Sequence, residues 1–160
     1  MTPDDRSTLI RHYKEGASLL RKAYDEAPPA MRDWRPDPAE WSVHDIICHC
    51  ADAEMIAATR IRRLLADPEP QITAFDQDVW AQNLPYPTLS PDIAFMVIEA
   101  TRAWTGPLLD EMSEAQWSRP GLHSAAGTYS ADDWLATFGP HLQGHVDHIH
   151  DNIEAWKRTS

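Results

Sequence analysis

The chain has 160 residues, 42% of them hydrophobic and 24% charged, a balance that fits one globular domain with a core of its own, here residues 1–160. Its formal net charge of -11 repels phosphate backbones and anionic lipid, which speaks against nucleic-acid and membrane partners. The two cysteines, Cys48 and Cys50, would diverge on a helix and stay unpaired, as suits a reducing compartment.

Met1 to Arg11 is polar and has no apolar leader stretch, and no run approaches membrane-spanning length. The expected location is cytoplasmic. The most basic short segment, Arg60, Arg62 and Arg63, reads as a solvated helix face.

Four long helices are predicted. The first runs from Pro3 to about Asp25, with Thr2 as cap, Pro3 at the first helical position and Asp4 and Asp5 at the positive end of the dipole. Leu9, Tyr13, Leu20 and Tyr24 share its inner face, and Pro28-Pro29 ends it. The second starts at Ser42, where Ser42-Val43-His44-Asp45 has the form of a capping box and Trp41 and Ile46 that of a hydrophobic staple; it extends to about Leu65. Asp67 to Ser90 is broken by Pro68, Pro70, Pro85 and Pro87 and reads as a long crossover, with a short helical piece near Phe75 to Gln82.

The third long helix runs from Ser90 to about Met112, with a bend expected near Gly106-Pro107. Ser113 to Tyr129 reads as a loop. Ser130 to Asp133 repeats the capping pattern, and the last helix reaches Trp156 with a kink at Gly139-Pro140, just before His141. No strand alternation stands out. The expected fold class is all-α, a four-helix bundle with one long crossover connection.

The last helix carries the sharpest chemical signal. At 100° per residue, with His141 at zero, His145 falls at about 40° and His148 at about -20°, so the three share one stripe. Leu142, Ile149, Ile153 and Trp156 lie to one side of it and form the apolar face; His150 points away. Two imidazoles one turn apart can hold one metal ion, but a third ligand must come from another helix. His49 is the best candidate, because it sits mid-helix among Ile46, Ile47, Ala53 and Ile56.

The competing reading gives His49 a core carbonyl and makes the stripe a polar rim. Three neutral imidazoles would leave a coordination position open, an arrangement of catalytic type. Asp52, one turn from His49, is either a partner of the site or a surface carboxylate. Cys48-His49-Cys50 does not converge on a helix, so the cysteines read as small core residues.

These residues resemble the DinB-like (damage-inducible, YfiT-like) superfamily of metal-binding four-helix bundles. The resemblance is carried by Trp41-Ser42 leading to His49-Cys50-Ala51-Asp52-Ala53-Glu54, and by His141-Leu142-Gln143-Gly144-His145-Val146-Asp147-His148-Ile149. Phe75 to Trp80 and Arg119 through His123 to Gly127-Thr128 look like the family's connecting segments. It implies an up-down-down-up bundle, a Ni or Zn site built from His49, His141 and His145, and a homodimer. Gly144 stands where a bulkier residue is usual and His148 where Gln is frequent, which keeps His148 open as an alternative to His145.

The family's characterised activities make a metal-dependent thiol S-transferase the leading expectation, with a low-molecular-weight thiol as cofactor. Metal-dependent hydrolysis and a non-catalytic metal- or ligand-binding stress protein are the alternatives. In that scheme Asp52 or Glu54 would orient the ligands, Arg60 or Arg102 would hold an anionic cofactor, and His123, in its Gly-flanked loop, would line the pocket.

Overall fold

The structure, a computed structural model, describes residues 1–159. Among the described residues seven α-helices form, and five of them make the four arms of the bundle: α1 (Pro3–Glu26), α2 (Val43–Ala66), α4 (Pro91–Asp110), and a last arm broken into α6 (Ala131–Phe138) and α7 (His141–Lys157). Two short helices, α3 (Gln77–Asn83) and α5 (Glu114–Trp117), lie in the connections. The starts follow the local signals. Thr2 accepts from the Asp5 N–H, and Ser42/Asp45 and Ser130/Asp133 both close reciprocal capping boxes.

Cross-helix contacts fix the directions. Arg21 near the end of α1 reaches Asp92 at the start of α4, and Lys14 reaches Asp110 at its end, so these two run antiparallel. His44 of α2 meets the Leu89 carbonyl just before α4, while Arg62 meets Thr105 near the end of α4, so those two run parallel. Gln143 bonds the His12 carbonyl and His150 bonds Glu26, which sets α7 parallel to α1. The result is the expected up-down-down-up order. Parallel α2 and α4 require the long crossover from Asp67 to Ser90.

One expectation needs correction. The segment from Ser113 to Tyr129 is not only loop: after α5 it makes a hairpin of β2 (Gly121–His123) and β3 (Gly127–Tyr129), turning through Gly127 at φ 77°. Strand β1 (Gln71–Ile72) pairs parallel with β2, giving a three-stranded sheet beside the end of α2. Strands of two or three residues are too short for alternation to show. Arg119 anchors this sheet by donating to the carbonyls of Leu64, Leu65, Asp67 and Pro68, groups that the end of α2 leaves unpaired.

The core divides into two apolar clusters. One gathers Leu20, Met31, Ile46, Ile47, Phe95, Ile98, Leu142 and Ile149; the other gathers Tyr13, Ile61, Leu64, Leu109, Trp117, Trp134 and Phe138. Buried polar side chains of His49, Glu54, Arg102 and Thr105 accompany them. Cys48 and Cys50 are free and buried. Burial, then nearby Asp45 and Asp52, pushes the Cys48 thiol up to about 12, so it stays protonated. On α4, Ile93, Met96 and Trp104 remain exposed along one stripe. Among the described residues no helix is long and apolar enough to cross a membrane.

Candidate metal centre

His49 reaches the interior from the middle of α2, and His141 and His145 from the first turns of α7. The Gly139-Pro140 break fixes where α7 begins, because Pro140 cannot donate and the chain restarts there. From each of the three rings one nitrogen lies within 4.8 Å of one from the others. The ring centroids are 5.5 Å apart for His49–His141, 4.9 Å for His49–His145 and 4.7 Å for His141–His145. His148 stands outside this cluster and stacks on His145 at 6.2 Å.

The polar-rim reading needs a carbonyl or other partner for His49, and the structure gives it none. His49 is 1% exposed, and neither of its ring nitrogens has a hydrogen-bond partner. The Nδ1 atoms of His141 and His145 are likewise sealed and unpartnered. Four orphaned imidazole nitrogens in one small space would be costly. A divalent cation would take one nitrogen from each ring, and three imidazoles suit zinc or nickel. The residues present therefore fit a bound metal.

Aromatic walls enclose the cluster. Trp41 packs against His49 at 4.6 Å and lies nearly parallel to His145 at 6.3 Å. Its carbonyl accepts from Asn152 of α7, which pins the segment before α2 to the last helix. Trp41 thus does more than the expected staple to α2. Phe75 stacks on His49 at 6.5 Å, and Phe138 meets His141 edge-on at 5.8 Å. A local pattern does not reveal either contact, since both partners are distant in sequence.

Several other candidates are placed elsewhere. Glu54 is completely buried, but it accepts from Arg102 at 2.6 Å and from the Tyr13 hydroxyl at 3.4 Å rather than from a histidine. Arg102 is a core residue, donating to the carbonyls of Tyr13 and Phe138 as well, and is not free to hold a cofactor. Asp52 accepts from the Tyr86 hydroxyl at 2.7 Å and no histidine donates to it. Tyr86 itself came from no sequence signal. His123 uses Nδ1 to accept the N–H groups of Ala125 and Ala126, which shapes the hairpin turn. Arg60 lines a pocket next to Phe75.

The environment keeps the three rings neutral. Burial, then the neighbouring His148, lowers His49 to about 4. Burial followed by the charges of His145, His49 and Arg102 brings His141 to about 2, and burial with His49 and His148 brings His145 to about 3. Neutral imidazole is the form that ligates metal.

A pH dependence of the metal-free protein follows. Above the ordinary histidine pKa of about 6.5, folded and unfolded chains carry these rings alike. Below it the unfolded chain binds protons that the folded chain refuses, so stability falls as pH falls. Each ring adds a slope of about 1.4 kcal/mol per pH unit until its own lowered pKa is reached. Denaturant midpoints of chelator-treated protein should therefore drop steeply from about pH 6.5 to about pH 4, and saturation with metal at the upper end should delay the drop. Flat stability across that window would contradict neutral burial of the cluster.

Comparisons with known proteins agree with this architecture. The DinB superfamily profile matches residues 12–149. A Bacillus licheniformis protein, named provisionally as a metal-dependent hydrolase, is 28% identical over 144 residues, covering 88% of this chain and 80% of its own length. An Oceanobacillus iheyensis protein with the same kind of name is 28% identical over 109 residues, 68% of this chain and 63% of its own length. YfiT from Bacillus subtilis, described as a probable metal-dependent hydrolase with an unusual four-helix bundle topology, superposes with a TM-score of 0.86 at 19% identity, covering 95% of this chain and 87% of its own. That superposition establishes the shared bundle, and the profile spans most of the sequence: the chain belongs to the DinB superfamily.

Proposed function

We propose that the chain binds one divalent metal, Zn or Ni, through His49, His141 and His145, and that it is a metal-dependent thiol S-transferase. The observation that carries this reading is the set of converging imidazole nitrogens without protein partners. Three neutral ligands leave the full charge of the cation, which at that position supplies the Lewis acidity that makes a coordinated thiol or water a stronger acid. The chain's own residues orient and enclose. Trp41, Phe75 and Phe138 exclude water around the rings, and the α6–α7 break sets the spacing of the two histidines on α7.

Among the described residues no carboxylate is held against the rings to serve as a general base, which favours the more acidic ligand, a thiol, over water. Asp52 and Glu54 are bonded to Tyr86 and Arg102 instead. A metal-bound thiol is deprotonated outright, whereas metal-bound water reaches a pKa of about 7. Hydrolysis is the second reading, favoured by the names of the Bacillus licheniformis and Oceanobacillus iheyensis relatives. Homodimerisation belongs to the same proposal, with the uncovered Ile93, Met96 and Trp104 stripe as its surface.

Two assays separate the readings. Metal-loaded protein should accelerate conjugation of glutathione or cysteine to monochlorobimane above the uncatalysed rate, and chelation should remove the acceleration. Turnover of p-nitrophenyl acetate without thiol, combined with no bimane conjugation, would replace the transferase reading with the hydrolase one. Silence in both with metal tightly bound would leave a binding protein.

A further inference from the structure

Beside the histidine cluster, residues of α2, β1 and α3 line an open cavity of about 360 Å³. Its walls include Met55, Phe75 and Trp80, with Phe75 and Trp80 packed edge-on at 5.2 Å. Two cations, Arg60 and Arg63, also line it, against the single carboxylate of Asp52.

Four arginines find acids: Arg6 pairs with Asp132 and Glu114, Arg21 with Asp92 and Glu99, Arg35 with Asp45, and Arg102 with Glu54. Arg60 and Arg63 form no ion pair among the described residues. Each is tied to the edge of β1 by one backbone carbonyl, Thr73 at 2.7 Å and Gln71 at 3.3 Å respectively. The Arg60 Nε–H has no acceptor at all. A guanidinium has five donors in a planar fork, more than these carbonyls take up.

The Arg60 guanidinium also sits 5.6 Å from the centre of the Phe75 ring, whose plane stacks 6.5 Å from His49. One aromatic side chain is therefore a wall of both the cavity and the histidine cluster. Two cations offset by one carboxylate match a monoanion, and the planar fork matches a carboxylate. The apolar walls match a small hydrocarbon body.

We propose that this cavity binds an organic carboxylate with a small apolar body. Arg60, assisted by Arg63, holds the carboxylate; Phe75 and Trp80 hold the body and bring it beside the histidine cluster. That the bound acid is a reactant of the metal centre rests on the function proposed above. That it binds does not.

The test is calorimetric titration of the full chain with hydrocinnamate and with hydrocinnamyl alcohol, its neutral counterpart. The acid is expected to bind at least tenfold more tightly than the alcohol. Arg60→Gln should remove that preference, and Arg11→Gln, an exposed charge change on α1, should leave it intact. Thermal melts confirm that each variant is folded. Metal-free His49→Ala protein should still bind the acid with its Arg60 dependence. Equal affinity for acid and alcohol, or equal losses in Arg60→Gln and Arg11→Gln, overturns the proposal. Binding that requires metal and ignores Arg60 also overturns it, while leaving the metal reading in place.

Discussion

His49→Ala is expected to abolish stoichiometric metal binding, while His148→Ala leaves it intact. His49 is the one member of the cluster supplied by α2; the other two share a single helix. Without it the ion keeps two imidazoles one turn apart and solvent. A structural zinc site is worth about 10–16 kcal/mol over four ligands, so one ligand's share is about 3–4 kcal/mol, a loss of affinity of roughly a few hundredfold. Elemental analysis after reconstitution with Zn or Ni and desalting reads this directly.

A second readout guards against misfolding. Metal at a hundred times its dissociation constant adds about 2.7 kcal/mol to the stability of a protein that binds it only when folded. Wild type and His148→Ala should show that shift, and His49→Ala should not. Metal-free His49→Ala should remain folded, because the ring it removes makes no hydrogen bond. Full metal content in His49→Ala would move the site elsewhere. Loss in His148→Ala would bring His148 into it.

The helix starts were legible because their signals are local. Ser42 with Asp45, and Ser130 with Asp133, close over three residues whatever the rest of the chain does. Gly139-Pro140 was legible for the same reason. That His141, His145 and His148 share one stripe follows from helical spacing alone. The choice between His145 and His148 does not, since a seven-residue step nearly completes two turns and leaves both in one stripe. The family resemblance favoured His145, and α7 is turned against α2 so that Leu142, Ile149 and Ile153 are buried and His145 lies toward His49.

Pairings between distant elements were invisible for a related reason. Asp52, Glu54, Arg60 and Arg102 look alike in sequence, as charged residues on helices. Only packing shows that Glu54 and Arg102 meet in the core, that Asp52 turns to Tyr86 in the crossover, and that Arg60 faces Phe75 without an acid. Trp41 and Phe75 become walls of the cluster only when the crossover and α7 are both in place.

Arg102→Met is expected to destabilise the protein by about 3–5 kcal/mol, because it strands the Glu54 carboxylate in the core. Arg102 and Glu54 are both almost wholly buried and meet at 2.6 Å. Burial raises the Glu54 pKa, and the charge of Arg102 with hydrogen bonds from Arg102 and Tyr13 opposes the rise. The surroundings are shaped around the guanidinium: a Cβ on Gly16 would come within 2.5 Å of its Nη1. Replacing both members, as Arg102→Met with Glu54→Leu, should recover much of the loss, since apolar pairs often match buried ion pairs in stability. Denaturant titration of both variants checks this.

Arg102 has another task that the double variant does not restore. It donates to the Phe138 carbonyl, at the end of α6 and three residues before His141. The break at Gly139-Pro140 frees carbonyls there, and this bond holds the end of α6 to α4. The double variant should therefore regain stability but bind metal about 10–100-fold more weakly than wild type, the size of effect seen when a positioning group behind a ligand is lost. Recovery of both together would show that the buried pair serves the core alone. Recovery of stability without affinity would show that the same side chain also sets where α7, and with it His141 and His145, begins.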